Sequence, residues 1–424
     1  MLDFGVNMEK FFIAGGKKLE GSVVVDTAKN AILPIIAATL LTEEEVILHN
    51  VPKIVDVYKM LDIITSMGGC VKWLDEKTLS IKNDNITNLK ISGEKTSDIR
   101  SSIFILGPML SKFRKACVAY PGGCDIGSRP IDLHLFGLRE LNVKIVEEYG
   151  FINCDGRDMS PRLIHLDFPS VGATENLMMA AVLLKGETIL HNCAKEPEIV
   201  DLANFINKMG GQIYGAGDSV IRVVGVKTLK GTEYTPIGDR IVAGTLMIAT
   251  ALTKGRIELT NINYEFVLSL INKLRKTGCN IEFFSDRIIL DSKSRPNCCS
   301  FDTQPYPGFP TDLQPQLSVL LSIARGTSIV TENLFETRFK HFSELTKMGA
   351  KIISRDRTAI VKGVPRLYGA SVNAYDLRGG AALVLAGLCA KGITEVNNVS
   401  YIDRGYSNFE QTLNSLGADI KRIK

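Results

Sequence analysis

Glu45-Val46-Ile47-Leu48-His49-Asn50 and Glu187-Thr188-Ile189-Leu190-His191-Asn192 repeat one pattern. Each reads as a β-strand that runs into a turn, because β-branched and apolar residues end on an Asn. Related strands recur at Ala116–Tyr120, Arg256–Asn261, Thr327–Asn333 and Thr394–Asn398. With Val46, Cys117, Thr188, Ile257, Ser328 and Thr394 taken as equivalent, the spacings are 71, 71, 69, 71 and 66 residues. Six copies of one supersecondary unit are expected, and that period settles the fold class before any motif is read.

Each strand is followed by an amphipathic helix that stops at Gly68, Asn142, Gly210, Gly278, Gly349 or Gly417. Gly and Asn tolerate the left-handed conformation that ends a helix. Each unit also contains a helix of another kind, over residues 30–41, 101–110, 175–184, 241–252, 312–324 and 377–390. These are apolar on nearly every face, and such helices belong inside a core. Three units wrapping three buried helices in sheets make one domain, so an α/β protein of two three-repeat domains is expected.

The chain has 424 residues, 45% of them hydrophobic and 23% charged, with a net charge of +4. A nucleic-acid binder would show a larger and more clustered basic excess. Apolar stretches of about a dozen residues fall short of the ~20 a membrane span requires. No signal peptide is expected from Met1–Lys10, and residues 1–7 read as an optional extension before the strand at Lys10. Nine cysteines without a Cys-x-x-Cys pair suit reduced thiols in a cytosol and no metal site. No P-loop, G-x-G-x-x-G or G-x-S-x-G is present, so triphosphate hydrolysis, dinucleotide cofactors and serine-esterase chemistry are not expected.

Polar residues gather where the apolar helices begin: Lys29-Asn30, Arg100, Thr174-Glu175-Asn176, Asp239-Arg240, Thr311-Asp312, and Asp376 with Arg378. Two readings are open. Asp and Thr cap helix N-termini; alternatively, cations added to N-termini that are already positive mark an anion-binding cleft. Arg129, Arg338 and Arg404 add cations in neighbouring loops. Pro121-Gly122-Gly123-Cys124-Asp125-Ile126-Gly127-Ser128-Arg129-Pro130 reads as a loop with a thiol beside a cation. Cys124 is either an ordinary loop cysteine or one whose thiol ionises early. For His134 and His341, structural and functional roles stay equally open.

Long motifs carry a family resemblance. They include Thr27-Ala28-Lys29-Asn30-Ala31, Ile99-Arg100-Ser101-Ser102, the 121–130 loop, Pro169–Thr174, Glu196–Asp201, Phe309–Asp312, Phe335–Phe339, Asp376–Arg378 and Ile402–Tyr406. On these, from Met8 to Lys424, the chain resembles the UDP-N-acetylglucosamine enolpyruvyl transferases. The resemblance implies two inside-out α/β barrels, residues 29–236 carrying the cysteine loop 120–130 and residues 1–28 with 237–424, and an active site in the cleft between them. It implies enolpyruvyl transfer from phosphoenolpyruvate to the 3′-hydroxyl of UDP-N-acetylglucosamine with release of phosphate. That step commits material to peptidoglycan, and so to cell-wall growth, cell shape and division. No cofactor, metal, nucleic acid, membrane or obligate protein partner is implied.

By the same resemblance Cys124 is the proton donor and the target of the epoxide antibiotic fosfomycin, and Asp312 is the base. Lys29, Arg129 and Arg404 hold the phosphate, and Arg338 and Arg378 the carboxylate, with Asn30 also near phosphoenolpyruvate. Asn30, Arg100, Arg129, Pro130, Ile131, Asp132, Leu133, Ser170, Val171, Gly172, Asp312 and Leu334 contact the nucleotide sugar, and Asp376 supports the cysteine. Phe168 stands where some relatives have a lysine, and residues 1–7 are unmatched. The alternatives are transfer to shikimate 3-phosphate and a non-catalytic nucleotide-sugar-binding paralogue.

Overall fold

The computed structural model describes residues 9–93, 99–122 and 131–423. Among these, six four-stranded sheets share one connectivity. In the first, Val46–Leu48 pairs antiparallel with Leu79–Lys82, which pairs antiparallel with Cys70–Trp73; Thr232–Tyr234 adds a parallel edge. In the last, the inner position is filled by the start of the chain. Lys10–Ala14 lies between Ile393–Asn397 and Ile420–Ile423. Glu20–Val24 then forms the parallel edge of the sheet built on Arg256–Thr260. The sixth repeat therefore borrows a strand from the other end of the sequence, which makes one unit discontinuous.

The six amphipathic helices stop as the sequence predicts. Gly68, Asn142, Gly210, Gly278, Gly349 and Gly417 all have positive φ, from 67° at Asn142 to 110° at Gly68. Asn50, Asn192, Asn261 and Asn398, which end first strands, are left-handed too. Three of their side-chain amides donate to carbonyls of the neighbouring edge segment: Asn192 to Leu166, Asn261 to Val25 and Asn398 to Ala374.

The apolar helices are Lys29–Ala38, Leu106–Phe113, Val171–Ala181, Arg240–Thr253, Gln314–Ser322 and Leu377–Cys389. The second and fifth are entered through the 3-10 turns Arg100–Ile105 and Thr311–Leu313. Within each unit they pack on one another, enclosed by the sheets, as an inside-out α/β barrel requires. The third begins at Val171, four residues before the expected 175. Ser170 is its N-cap, its Oγ accepting from the Ala173 N–H at 3.3 Å. Thr174, Glu175 and Asn176 are thus not at the entrance but inside the helix, and fully buried.

The chain forms two compact units. Among the described residues one comprises 27–122 with 131–237, and the other 9–26 with 238–423. Each has its own hydrophobic core. The chain passes between them at Asp26–Thr27 and Ile237–Gly238. Backbone pairs fix these points: Ala28 N–H donates to Ile237 O in one unit, and Asp239 N–H to Asp26 O in the other, both at 2.8 Å.

Candidate active site

The unit 27–237 carries Lys29, Asn30, Arg100, Ile131, Asp132, Leu133, Ser170, Val171 and Gly172. Cys124, Arg129 and Pro130 lie outside the described residues. Lys29 and Asn30 open the first buried helix, where Lys29 Nζ is 2.7 Å from a carboxylate oxygen of the buried Asp56. Arg100 opens the 3-10 turn into the second. Ile131 precedes the helix Asp132–Glu140, whose first turn carries exposed Asp132 and half-buried Leu133.

Val171 and Gly172 form the first turn of the third buried helix, where backbone N–H groups lack intrahelical acceptors. A side chain of undecided role sits beside them. A Cβ on Gly172 would stand 2.9 Å from Cε1 and 3.0 Å from Nε2 of His134. Only glycine lets the imidazole come this close. Hydrogen bonding fixes the His134 tautomer. Asn176 Oδ1 accepts from the Gly107 N–H at 2.9 Å, so its Nδ2 is the donor, to Ile103 O and to His134 Nδ1, each at 2.9 Å. Nδ1 is therefore an acceptor, and the proton is on Nε2, facing Gly172. Burial, and then the charge of Arg100, push the His134 pKa down to about 3. The imidazole is a neutral donor at a helix N-terminus. Phe168, just upstream, is half exposed.

The other unit carries Asp312, Leu334, Arg338, Asp376, Arg378 and Arg404. Three of these meet. Asp312 Oδ1 accepts from Arg338 Nη2 at 2.7 Å; Oδ2 accepts from Arg378 Nη2 at 2.9 Å and Nε at 3.2 Å. Both guanidinium side chains are buried, at 2% and 4% exposure, whereas the carboxylate is 26% exposed. Burial alone would weaken the Arg378 cation, but Asp312 foremost among its neighbours keeps its pKa raised. Its guanidinium also stands 5.5 Å from the ring of Tyr406, whose hydroxyl bonds Thr245 and Gln316 at 2.9 and 3.2 Å.

Local anchors hold this group. Glu332, which sequence reasoning missed, is buried and accepts from Thr303, Thr311 and the N–H groups of Leu334 and Phe335. It thereby ties the Leu334 loop to the turn bearing Asp312. Asp376 caps the sixth buried helix, Oδ1 accepting from the Arg378 and Gly379 N–H groups at 2.9 Å. His341 Nδ1 faces Arg338 O at 3.1 Å and must donate, because a carbonyl only accepts. Burial, against the opposing pull of Asp376, lowers its pKa to about 4.

Arg404 follows Asp403, which a second missed residue holds: Arg422 makes a two-point bond to Asp403 at 2.7 and 2.9 Å and also bonds Glu9 and Glu410. The capping reading of the helix entrances therefore holds for Asp239 and Asp376, whereas at the third helix the cap is Ser170 and not Thr174. Lys29, Arg100, Arg338 and Arg378 are cations that capping does not explain. Among the described residues, no group of His, Cys, Asp and Glu has the arrangement of a metal site.

Known proteins share this architecture. The family description EPSP synthase (3-phosphoshikimate 1-carboxyvinyltransferase) matches residues 13–413. UDP-N-acetylglucosamine 1-carboxyvinyltransferase 2 of Caldanaerobacter subterraneus subsp. tengcongensis is 49% identical over 417 residues, which are 98% of this chain and all of that protein. UDP-N-acetylglucosamine 1-carboxyvinyltransferase of Thermotoga petrophila is 46% identical over 98% of this chain and 99% of its own. The enolpyruvyl transferase NikO of Streptomyces tendae shares the fold, with a TM-score of 0.87 at 22% identity over 98% of this chain and 99% of its own. The chain belongs to the carboxyvinyltransferase family, in its UDP-N-acetylglucosamine 1-carboxyvinyltransferase branch.

Proposed function

We propose that this protein transfers the enolpyruvyl group of phosphoenolpyruvate to the 3′-hydroxyl of UDP-N-acetylglucosamine, releasing phosphate, in the first committed step of peptidoglycan precursor synthesis. The observation that carries the reading is the carboxylate of Asp312 between two buried guanidiniums, where Arg338 Nε and Arg378 Nη1 remain buried donors without a partner. Unsatisfied charged donors in a protein interior are costly unless a ligand completes them. A planar carboxylate is the natural complement of a guanidinium.

In this reading Arg338 and Arg378 hold the carboxylate of phosphoenolpyruvate, and Lys29, Arg129 and Arg404 its phosphate. Cys124 gives a proton to the methylene carbon. C2 then gains cationic character and is attacked by the sugar oxygen as Asp312 takes the hydroxyl proton. The tetrahedral intermediate is anionic at both phosphate and carboxylate, and the fixed cations stabilise it without reorganising. Loss of a proton from the new methyl group and departure of phosphate restore the double bond. The N–H groups of the helix at Val171, with His134 Nε2–H, suit the diphosphate of the nucleotide sugar. Asn30, Arg100, Ile131, Asp132, Leu133 and Leu334 complete that ligand's surroundings, and Asp376 supports the cysteine.

A cytosolic setting fits the eight described cysteines, all free thiols, and no helix among the described residues is long and apolar enough to cross a membrane. Phosphate release from phosphoenolpyruvate, with UDP-N-acetylglucosamine or shikimate 3-phosphate as acceptor, tests the proposal. Release is expected with the nucleotide sugar alone; release only with shikimate 3-phosphate, or with neither, overturns it.

A further inference from the structure

The base and the cations proposed for this reaction neutralise one another. Three hydrogen bonds between them use lone pairs of Asp312 to satisfy the guanidiniums. A carboxylate flanked by two cations strongly favours its ionised form and is a poor proton acceptor. Two guanidiniums engaged by a carboxylate are equally unready for a ligand. Yet each retains one buried donor without a partner, so an incoming anion has a foothold without first breaking either pair. The carboxylate is also far more exposed than the arginines, 26% against 2% and 4%, so it is the member able to leave.

We infer that Asp312 is an internal stand-in for the carboxylate of phosphoenolpyruvate, and that substrate binding releases it to act as base. The inference rests on the transferase reading above and adds its regulation. The substrate carboxylate starts on Arg338 Nε and Arg378 Nη1 and takes over the donors now given to Asp312. The freed carboxylate regains a lone pair and its basicity, and receives the proton of the acceptor hydroxyl. A nucleotide sugar bound alone therefore meets a disarmed base. The competition also weakens phosphoenolpyruvate binding by the fraction of molecules in which the pairs are closed.

Asp312→Asn keeps the shape and removes the charge. Calorimetric titration with phosphoenolpyruvate is expected to give about tenfold tighter binding than wild type, while turnover is lost. Titration with inorganic phosphate, which has no carboxylate to exchange, is expected to change by less than about twofold. An equal gain for both ligands would mean simple removal of a negative charge, and it overturns the exchange, as does unchanged or weaker phosphoenolpyruvate binding. Removing one partner of a buried ion pair is strongly destabilising. If that variant does not fold, a crystal structure of the wild type with phosphoenolpyruvate decides. Asp312 separated from Arg378 by more than about 4 Å supports the exchange. A pair retained at 2.9 Å beside bound substrate sinks the exchange alone. Wild type that binds no phosphoenolpyruvate sinks the transferase reading as well.

Discussion

Two clusters, one in each unit, hold groups proposed to meet anions by opposite physical means. In the unit 27–237, the first turn at Val171 and Gly172 offers neutral donors: backbone N–H groups and an imidazole locked as the Nε2–H tautomer by Asn176. In the other unit, Asp312, Arg338 and Arg378 carry full charges committed to one another. Dipoles hold a phosphate without donating or capturing protons, which suits a group that must leave unchanged. Full charges polarise a group that reacts, but here they must first exchange partners. In the proposed reaction the dipolar turn serves the diphosphate of the nucleotide sugar, and the charged triad serves the substrate carboxylate and the acceptor hydroxyl.

Three substitutions test this contrast. Asp312→Ala is expected to lower kcat by ~10³-fold, within the range for loss of a general base. Activity above a tenth of wild type, in a variant whose melting shows it folded, would take proton transfer away from this unit. His134→Ala comes next. Losing a hydrogen bond to a charged group costs ~1.5–3 kcal/mol, so KM for the nucleotide sugar should rise ~10- to 100-fold, with kcat within about twofold. A fall in kcat at constant KM would place the imidazole in the chemistry and erase the contrast.

The smallest effect concerns Glu175, fully buried in the dipolar unit with no partner on either oxygen. Burial first, then the charges of Glu198 and Glu196, raise its pKa well above the ordinary 4.5. Between those two values the unfolded chain has released a proton that the folded protein keeps. Folding stability from this group is therefore complete below pH 4.5 and is lost as pH rises toward the folded value. Glu175→Gln should match wild type in Tm near pH 4.5 and exceed it increasingly toward pH 8. Parallel Tm curves for the two proteins would show that Glu175 is ionised and paired.

The architecture was legible because it is periodic. Spacings near 70 residues, left-handed Gly and Asn stops and apolar helices all follow from local chemistry. The start of the third buried helix was misplaced because Glu175 reads as a charged boundary, and sequence does not reveal that burial raises its pKa. Asp312, Arg338 and Arg378 were each expected at the site, but their mutual pairing was not, since 26 and 66 residues separate the partners. Glu332 and Arg422 were missed for the same reason: each acts through partners distant in sequence. A usable signal did exist. Asn176, Thr245 and Gln316 interrupt otherwise apolar helices, and each anchors a side chain, His134 or Tyr406, beside a residue proposed to bind substrate.

Phosphorus NMR of the enzyme with phosphoenolpyruvate and UDP-N-acetylglucosamine tests the division of labour most directly, since it follows the reacting phosphate and the recognised diphosphate together. Inorganic phosphate is expected to grow as phosphoenolpyruvate is consumed, one for one with a 3′-enolpyruvyl nucleotide sugar whose diphosphate signals remain intact, and nothing is expected to change without the acceptor. Phosphate appearing without the acceptor, or cleavage of the diphosphate, would contradict it.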